Sequence, residues 1–298
     1  MNRQDTEKIT ATVRENLLTW QQEADTAQQL STLQIKTLLR EYFKKEDAQQ
    51  DTVALRRLAE ALLFTSDKDT PLFKNEWALA FLDALFEAHP DFWPDEQPQS
   101  EDTNGDLPIT IAHFDSAPLR EAAVRFQALI KSAKAMPCGS FTAAVEEVST
   151  GKAAFSILPI EDSTEGKLTR FYEQIDRFEL HIAAALDMPA RADGNQVRVA
   201  LVDKGETSIA TNGYAHVTEC LLFEENKQSL TSVLDAAEAL GLTLHRIDSL
   251  PISYRDDGFS KHLVFEGSGA ACQRLHAYLA LFMPRTSVTA DYVLILND

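Results

Sequence analysis

Leu158-Pro159-Ile160-Glu161-Asp162-Ser163-Thr164-Glu165-Gly166 places acids and hydroxyls side by side directly after a run of apolar residues. A helical pattern follows it, so the string reads as a polar loop at the carboxyl end of a buried strand. Two readings of its chemistry are open. The amide groups of a helix N-terminus are preorganised to hold a carboxylate, and Ser163 and Thr164 stand where they would cap that helix. The plainer reading is a capping box, Ser163 or Thr164 with acids nearby. The histidines His113, His181, His216, His245, His262 and His276 fall in separate elements, and no pair has the helical spacing of metal ligands. No metal site is expected.

The elements that must position this loop follow from periodicity. Residues 1–92 read as helix. Val13, Leu17, Trp20, Ala24 and Ala27 follow helical spacing, as do Ile35, Leu38, Leu39 and Tyr42. Further helices are expected near 52–64 and 74–88. The stretch 93–107 holds Pro94, Pro98 and five acids without periodicity, the composition of a linker. Beyond it, short apolar runs alternate with helical ones. Strands are expected at 109–112, near Ala135 and Met136, and at 154–160, 180–185 and 197–202. Helices are expected at 118–130, 140–149 and 166–177. Such alternation predicts a three-layer α/β lobe with a largely parallel sheet over 108–203, whose working loops lie at the strands' carboxyl ends. Residues 214–298 read β, α, β, β, α, β, with Gly241 stopping the first helix and Asp256-Asp257-Gly258 turning the hairpin. The expected class is α+β and multidomain: an all-α N-terminal bundle, an α/β lobe and a βαββαβ domain of ferredoxin-like order.

Composition narrows the function classes. The chain has 298 residues and a formal net charge of −18 from 46 acidic and 28 basic side chains. Nucleic acid and anionic membrane need clustered Lys and Arg, so neither is expected as the main partner. No apolar run is long enough to cross a bilayer, and, with a polar, acidic start and no apolar h-region, no signal peptide is expected. The cysteines Cys138, Cys220 and Cys272 are odd in number and far apart, as in a reducing compartment. A cytoplasmic location is expected.

Pro137-Cys138-Gly139-Ser140-Phe141, then Ala144-Val145 and Gly151, then Leu158 to Gly166, and on through His181-Ile182, resemble the prephenate dehydratase family in their order. That family carries a proline-isoleucine-glutamate-asparagine-serine string where this chain has Pro159 to Ser163. The βαββαβ segment resembles the ACT domain that follows the catalytic domain in those enzymes, with Ile247-Asp248-Ser249-Leu250-Pro251 at a family motif. The resemblance spans roughly 108–298. It implies conversion of prephenate to phenylpyruvate with loss of water and carbon dioxide, without metal or organic cofactor. It also implies a small-molecule ligand, prephenate or an amino acid, and a homodimer through the ACT-like strands. By the same resemblance Ser163 and Thr164 would position substrate, and Glu161, Asp162, Ser140 and Ser116 would line the ligand site. Ser229, Leu230, Asp248 and Ser249 would mark an effector site.

The departures are specific. Asp162 replaces the family's asparagine, an anion set against a dianionic substrate. His113-Phe114-Asp115-Ser116-Ala117-Pro118 has no glycine where the family has a Gly-Pro-rich loop. Most tellingly, Asp187-Met188-Pro189 runs almost directly into Val197–Val202, leaving no room for the family's second lobe. Gln228 stands where an effector-site glycine is expected. The preferred expectation is a ligand-sensing or structural relative linked to phenylalanine and aromatic amino-acid metabolism. The alternative is an active dehydratase whose cleft is completed by another domain or subunit. The N-terminal Arg14, Lys36, Arg40, Arg56 and Arg57 do not match the spacing of the chorismate mutase that many bacteria fuse to this enzyme.

Overall fold

The computed structural model describes residues 32–43, 52–63, 75–93, 109–130, 132–190, 194–205, 214–223, 227–251, 259–283 and 285–295, with single positions in 22–30. The expected helix around Val13–Ala27, the linker at 94–107 and the Asp256-Asp257-Gly258 turn lie outside these residues. Two compact units emerge.

The first is helical. Helix α1 covers residues 32–43, α2 is Thr52–Leu63 and α3 is Asn75–Ala88. On α3 the alternation of Ala78, Phe81, Leu82 and Leu85 buries one broad face. Phe43 meets Phe81 edge to face at 5.5 Å between ring centres. Lys36 pairs with Asp83 at 2.6 Å, and Arg40 forks onto Glu87. The end of a later helix, residues 277–283, completes this unit: Phe282 packs on Phe81, Arg56 donates to the Ala280 carbonyl and Tyr278 donates to Asn75 at 2.6 Å.

The second unit carries a ten-stranded sheet. Its α/β part contains β1 (Thr110–Phe114), α4 (Ala117–Leu129), β2 (Lys134–Cys138), α5 (Phe141–Ser149), β3 (Phe155–Asp162), β4 (Gly166–Lys167), α6 (Thr169–Arg177), β5 (His181–Asp187) and β6 (Val197–Asp203). Three layers form. Leu119, Ala122 and Phe126 of α4 bury one sheet face with Ile111, Phe155 and Ile157. Ala144, Val145 and Val148 of α5, with Phe171 and Ile175 of α6, bury the other. The sheet is mixed, not largely parallel. β1 pairs in parallel with β2 and β3, but β6 runs antiparallel to both β3 and β5. The short 188–196 connection is the cause: it returns the chain as a hairpin, where a parallel pairing would need a longer crossover.

The βαββαβ order is present as β7 (Ala215–Phe223), α7 (Lys227–Ala239), β8 (Thr243–Pro251), β9 (Phe259–Gly267), α8 (Gly269–Phe282) and β10 (Thr286–Ile295). Gly241, at φ +83°, takes the left-handed conformation that ends α7. Strands lie in the order β10-β7-β9-β8, all antiparallel. The far edge of β10 is not open. It pairs in parallel with β5, Val293 opposite Ala184 and Ile295 opposite Leu186, so the sheet runs without a break from β2 to β8.

This sheet curls. From β3 to β8 the order is β3-β6-β5-β10-β7-β9-β8; laid flat, six spacings of ~4.8 Å separate the two ends by roughly 29 Å. Yet Glu161 on β3 and Arg246 on β8 touch at 2.5 Å. The strands therefore wrap around α6, whose Phe171 and Ile175 share one core with Leu158, Ala185, Ala200, Val217, Val264 and Tyr292.

Candidate functional site

The carboxyl ends of β2, β1 and β3, adjacent in the sheet, gather the hydroxyls singled out in the sequence. Ser140 follows β2 and is the N-cap of α5, its Oγ accepting from Ala143 N at 3.0 Å. Ser116 follows β1 at the N-cap position of α4 without a side-chain capping bond; Pro118 opens that helix. The backbone joins these two ends, Asp115 N donating to the Cys138 carbonyl at 3.0 Å. Phe114, Phe141 and Phe171 line up beneath, with ring centres 5.1 and 4.9 Å apart.

The 161–166 string does not cap a helix. It closes a hairpin between β3 and β4, with Glu161 opposite Lys167 and Asp162 opposite Gly166. Gly166 turns the chain at φ +74°. Helix α6 begins only at Thr169, after Leu168, with no side-chain cap. Asp162 Oδ1 instead accepts from Thr164 N at 2.9 Å and from the Thr164 hydroxyl. The Ser163 hydroxyl accepts from Gln196 N at 2.9 Å, and Ser163 N donates to the Gln196 carbonyl at 2.8 Å. Ser163 and Thr164 are exposed, with their hydrogen-bonding capacity partly used, by Gln196 and by Asp162 respectively. The helix-dipole reading and the capping-box reading both give way to an Asx-type turn.

A second polar cluster, invisible in the motif, lies at the base of this hairpin. Lys167 Nζ is 2.5 Å from Glu219 Oε2 on β7 and 3.1 Å from His262 Nε2 on β9, and it sits over the Tyr172 ring at 4.4 Å. His262 Nε2 is 3.0 Å from the same Glu219 oxygen, while Nδ1 is 3.7 Å from Asp248. Tyr292 donates to the other Glu219 oxygen at 3.0 Å. Arg246 pairs with Glu161 at 2.5 Å and has Nε 2.8 Å from Asp248. Glu219 and His262 side chains are only 4% and 5% exposed. Burial opposes the charge of Glu219, but hydrogen bonding from His262 and the Lys167 ammonium outweigh it and bring its carboxyl down to about 2. Burial first, then the Glu219 carboxylate, push the Tyr292 phenol well up; Tyr172 is raised likewise, by burial, Glu219 and Glu161. Nearby, Arg198 of β6 forks onto Asp187 of β5 at 2.8 and 3.0 Å. Burial disfavours its charge, and the two bonds to Asp187 more than restore it.

Of the residues expected at an effector site, Asp248 belongs to this cluster, and Ser249 accepts from Lys261 at 2.8 Å. Leu230 is half-buried on α7, and Ser229 lies in the same helix. The structure thus gathers Glu161 with Asp248, while Ser116 and Ser140 stay at the carboxyl edge. Sequence reasoning missed Lys167, Glu219, Arg246, His262 and Tyr292. A signal existed: Glu219 and His262 interrupt apolar strands, and a charge inside such a strand requires a partner. Among the described residues, no group of His, Cys, Asp and Glu is arranged to hold a metal. Burial raises all three thiols, Cys220 to about 12 and Cys272 to about 11, which leaves them poor nucleophiles. No helix among the described residues is long and apolar enough to cross a membrane.

An α/β lobe continuous with a βαββαβ module, carrying its polar turn after β3, defines the class: a mixed-sheet α/β protein. Residues 119–193 match the family model for prephenate dehydratase. A stretch of 107 residues is 30% identical to arogenate dehydratase 4, chloroplastic, of Arabidopsis thaliana, covering 30% of this chain and 25% of that protein. The chain therefore spans about a quarter of that relative's length. Prephenate dehydratase from Streptococcus mutans is similar in structure, with a TM-score of 0.49 at 17% identity over 62% of this chain and 98% of that one. Prephenate dehydratase from Arthrobacter aurescens, solved with L-Phe, has a TM-score of 0.43 at 17% identity, covering 62% and 90%. The match to the prephenate dehydratase family model is confined to residues 119–193.

Proposed function

We propose that the chain serves aromatic amino-acid metabolism as a ligand-sensing relative of prephenate dehydratase and does not itself dehydrate prephenate. One observation carries this reading. β5 and β6 form an antiparallel hairpin that closes as Asp187 opposite Arg198, with Met188 N donating to the Val197 carbonyl at 2.8 Å. The segment 188–196 leaves no space for a second lobe between these strands. A site with one wall neither excludes water nor surrounds a substrate.

Two features of the turn support the same reading. Asp162 holds an acceptor-only carboxylate inward on its own turn, where a dianionic substrate needs a neutral donor. Ser163 is committed to Gln196. The βαββαβ module, in ferredoxin-like strand order, is the ACT-like sensing part. Its outermost strand β8, which pairs only with β9 among the described residues, is the pairing surface of a cytoplasmic homodimer, and an amino acid is its ligand class.

The test is a phenylpyruvate assay on purified full-length protein with prephenate, beside a two-lobed dehydratase. Turnover no faster than the spontaneous reaction is expected. Turnover above it overturns the proposal, and activity that falls in Ser163→Ala and Thr164→Ala would establish an active dehydratase with a completed cleft. Light scattering of the same sample at micromolar concentration reads the homodimer, and a monomeric mass removes it.

A further inference from the structure

The two residues at the base of the 161–166 turn are tied to the βαββαβ module by opposite charges. Glu161 and Lys167 face one another across the hairpin. Glu161 takes Arg246 of β8, and Lys167 takes Glu219 of β7. One strand of the hairpin thus offers an acid to a base and the other a base to an acid, which fixes the hairpin in one register against the module.

His262 sits inside this double tie. Its Nε2 faces a donor, Lys167 at 3.1 Å, and an acceptor, Glu219 Oε2 at 3.0 Å. One ring nitrogen cannot answer both in one protonation state. Neutral at Nε2, the ring accepts from Lys167, whose ammonium also satisfies Glu219. Protonated there, it donates to Glu219 and places a like charge 3.1 Å from Lys167. The other charged and titratable groups around it are Asp248 and Arg246 from β8, Tyr292 from β10 acting through Glu219, Tyr172 from α6 under the ammonium, and Glu161 from β3 through Arg246. Lys261, next on its own strand, donates to Ser249. While Nε2 accepts, the ring's proton is on Nδ1, which is buried and has no hydrogen-bond partner among the described residues; Asp248, at 3.7 Å, is the carboxylate that faces it.

We propose that Glu161–Arg246 and Lys167–Glu219 form a latch that holds the 161–166 turn on the βαββαβ module, and that protonation of His262 loosens the Lys167 arm of it. The imidazolium competes with Lys167 for one carboxylate oxygen and repels it. The turn that carries Asp162, Ser163 and Thr164 then detaches from the module on that side. The device couples the module to the turn irrespective of dehydratase activity; it rests on the functional reading only in treating that turn as the site.

Amide hydrogen exchange of the full chain, without ligand and corrected for intrinsic rates, reads the latch directly at residues 160–168. Protection of this segment is expected to fall about tenfold on going from pH 7.5 to pH 5.5. In His262→Gln, which still accepts from Lys167 but does not titrate, protection stays high at both pH values. In Lys167→Met it is low at both. A wild type without a pH response, a response that persists in His262→Gln, or a Lys167→Met that behaves as wild type each overturns the proposal. Because no substrate is present, that failure would leave the dehydratase question untouched.

Discussion

The carboxyl edge of β2, β1 and β3 and the cluster around Glu219 make opposite uses of polar residues. At the edge, Ser140, Ser163 and Thr164 are exposed; Ser140 and Thr164 serve their own local turns, and Ser163 ties its turn to the Gln196 backbone. In the cluster, Glu219, His262 and Tyr292 are buried, and each bonds to another element. Removing a surface hydroxyl costs little, because water takes its place. Removing one partner from a buried ionic network leaves its neighbours charged in a low dielectric. The residues that match a family motif are therefore not the ones on which this fold depends most.

The largest effect is expected for Glu219→Gln. It leaves Lys167 half-buried beside His262 without its carboxylate and weakens the Tyr292 bond, a loss of about 3–5 kcal/mol in denaturant unfolding. Acid separates this variant further from wild type. Glu219 is held at about 2 against an ordinary 4.5, so its contribution is complete above about pH 4.5 and is lost as pH falls toward 2. Wild type should lose stability through that window, and Glu219→Gln should lose less. Equal acid slopes would return Glu219 to the status of an ordinary surface acid.

Ser140→Ala is the intermediate case. Loss of the α5 cap should cost about 1 kcal/mol, and Ser140→Asp should restore most of it. Smallest are Ser163→Ala and Thr164→Ala, each within about 0.5–1 kcal/mol of wild type by the same unfolding measurement. A loss there as large as that of Glu219→Gln would erase the contrast between the two regions.

Much of the architecture was legible. The alternation of period-2 and helical segments located the βαββαβ order, and Gly241 marked the end of α7 because only a left-handed residue stops the helix there. The shortness of the connection between Asp187 and Val197 was equally plain. The β3–β4 hairpin was not legible, since acid, serine, threonine and glycine serve a helix cap and a tight turn equally well. Gly166 decided for the turn through its positive φ, which the letters alone do not reveal. The β5–β10 pairing joins residues far apart in sequence, and local periodicity carries no information about which edge a strand will meet. For the same reason Lys167, Glu219, Arg246 and His262, drawn from four strands, gave no common signal. Three described cations of the N-terminal helices have partners: Lys36 and Arg40 pair with Asp83 and Glu87, and Arg56 with a carbonyl.

The seat of β10 between β5 and β7 has a consequence for biosynthesis. It is the last of the ten strands to leave the ribosome, yet it occupies the middle of the sheet. Until residue 295 is free, the β5 edge and the β7 edge each lack their partner, so two strands paired on one side only present open edges in the nascent chain. Such edges recruit other chains. Translation that stalls before Thr286 should therefore yield aggregates rather than a smaller folded protein.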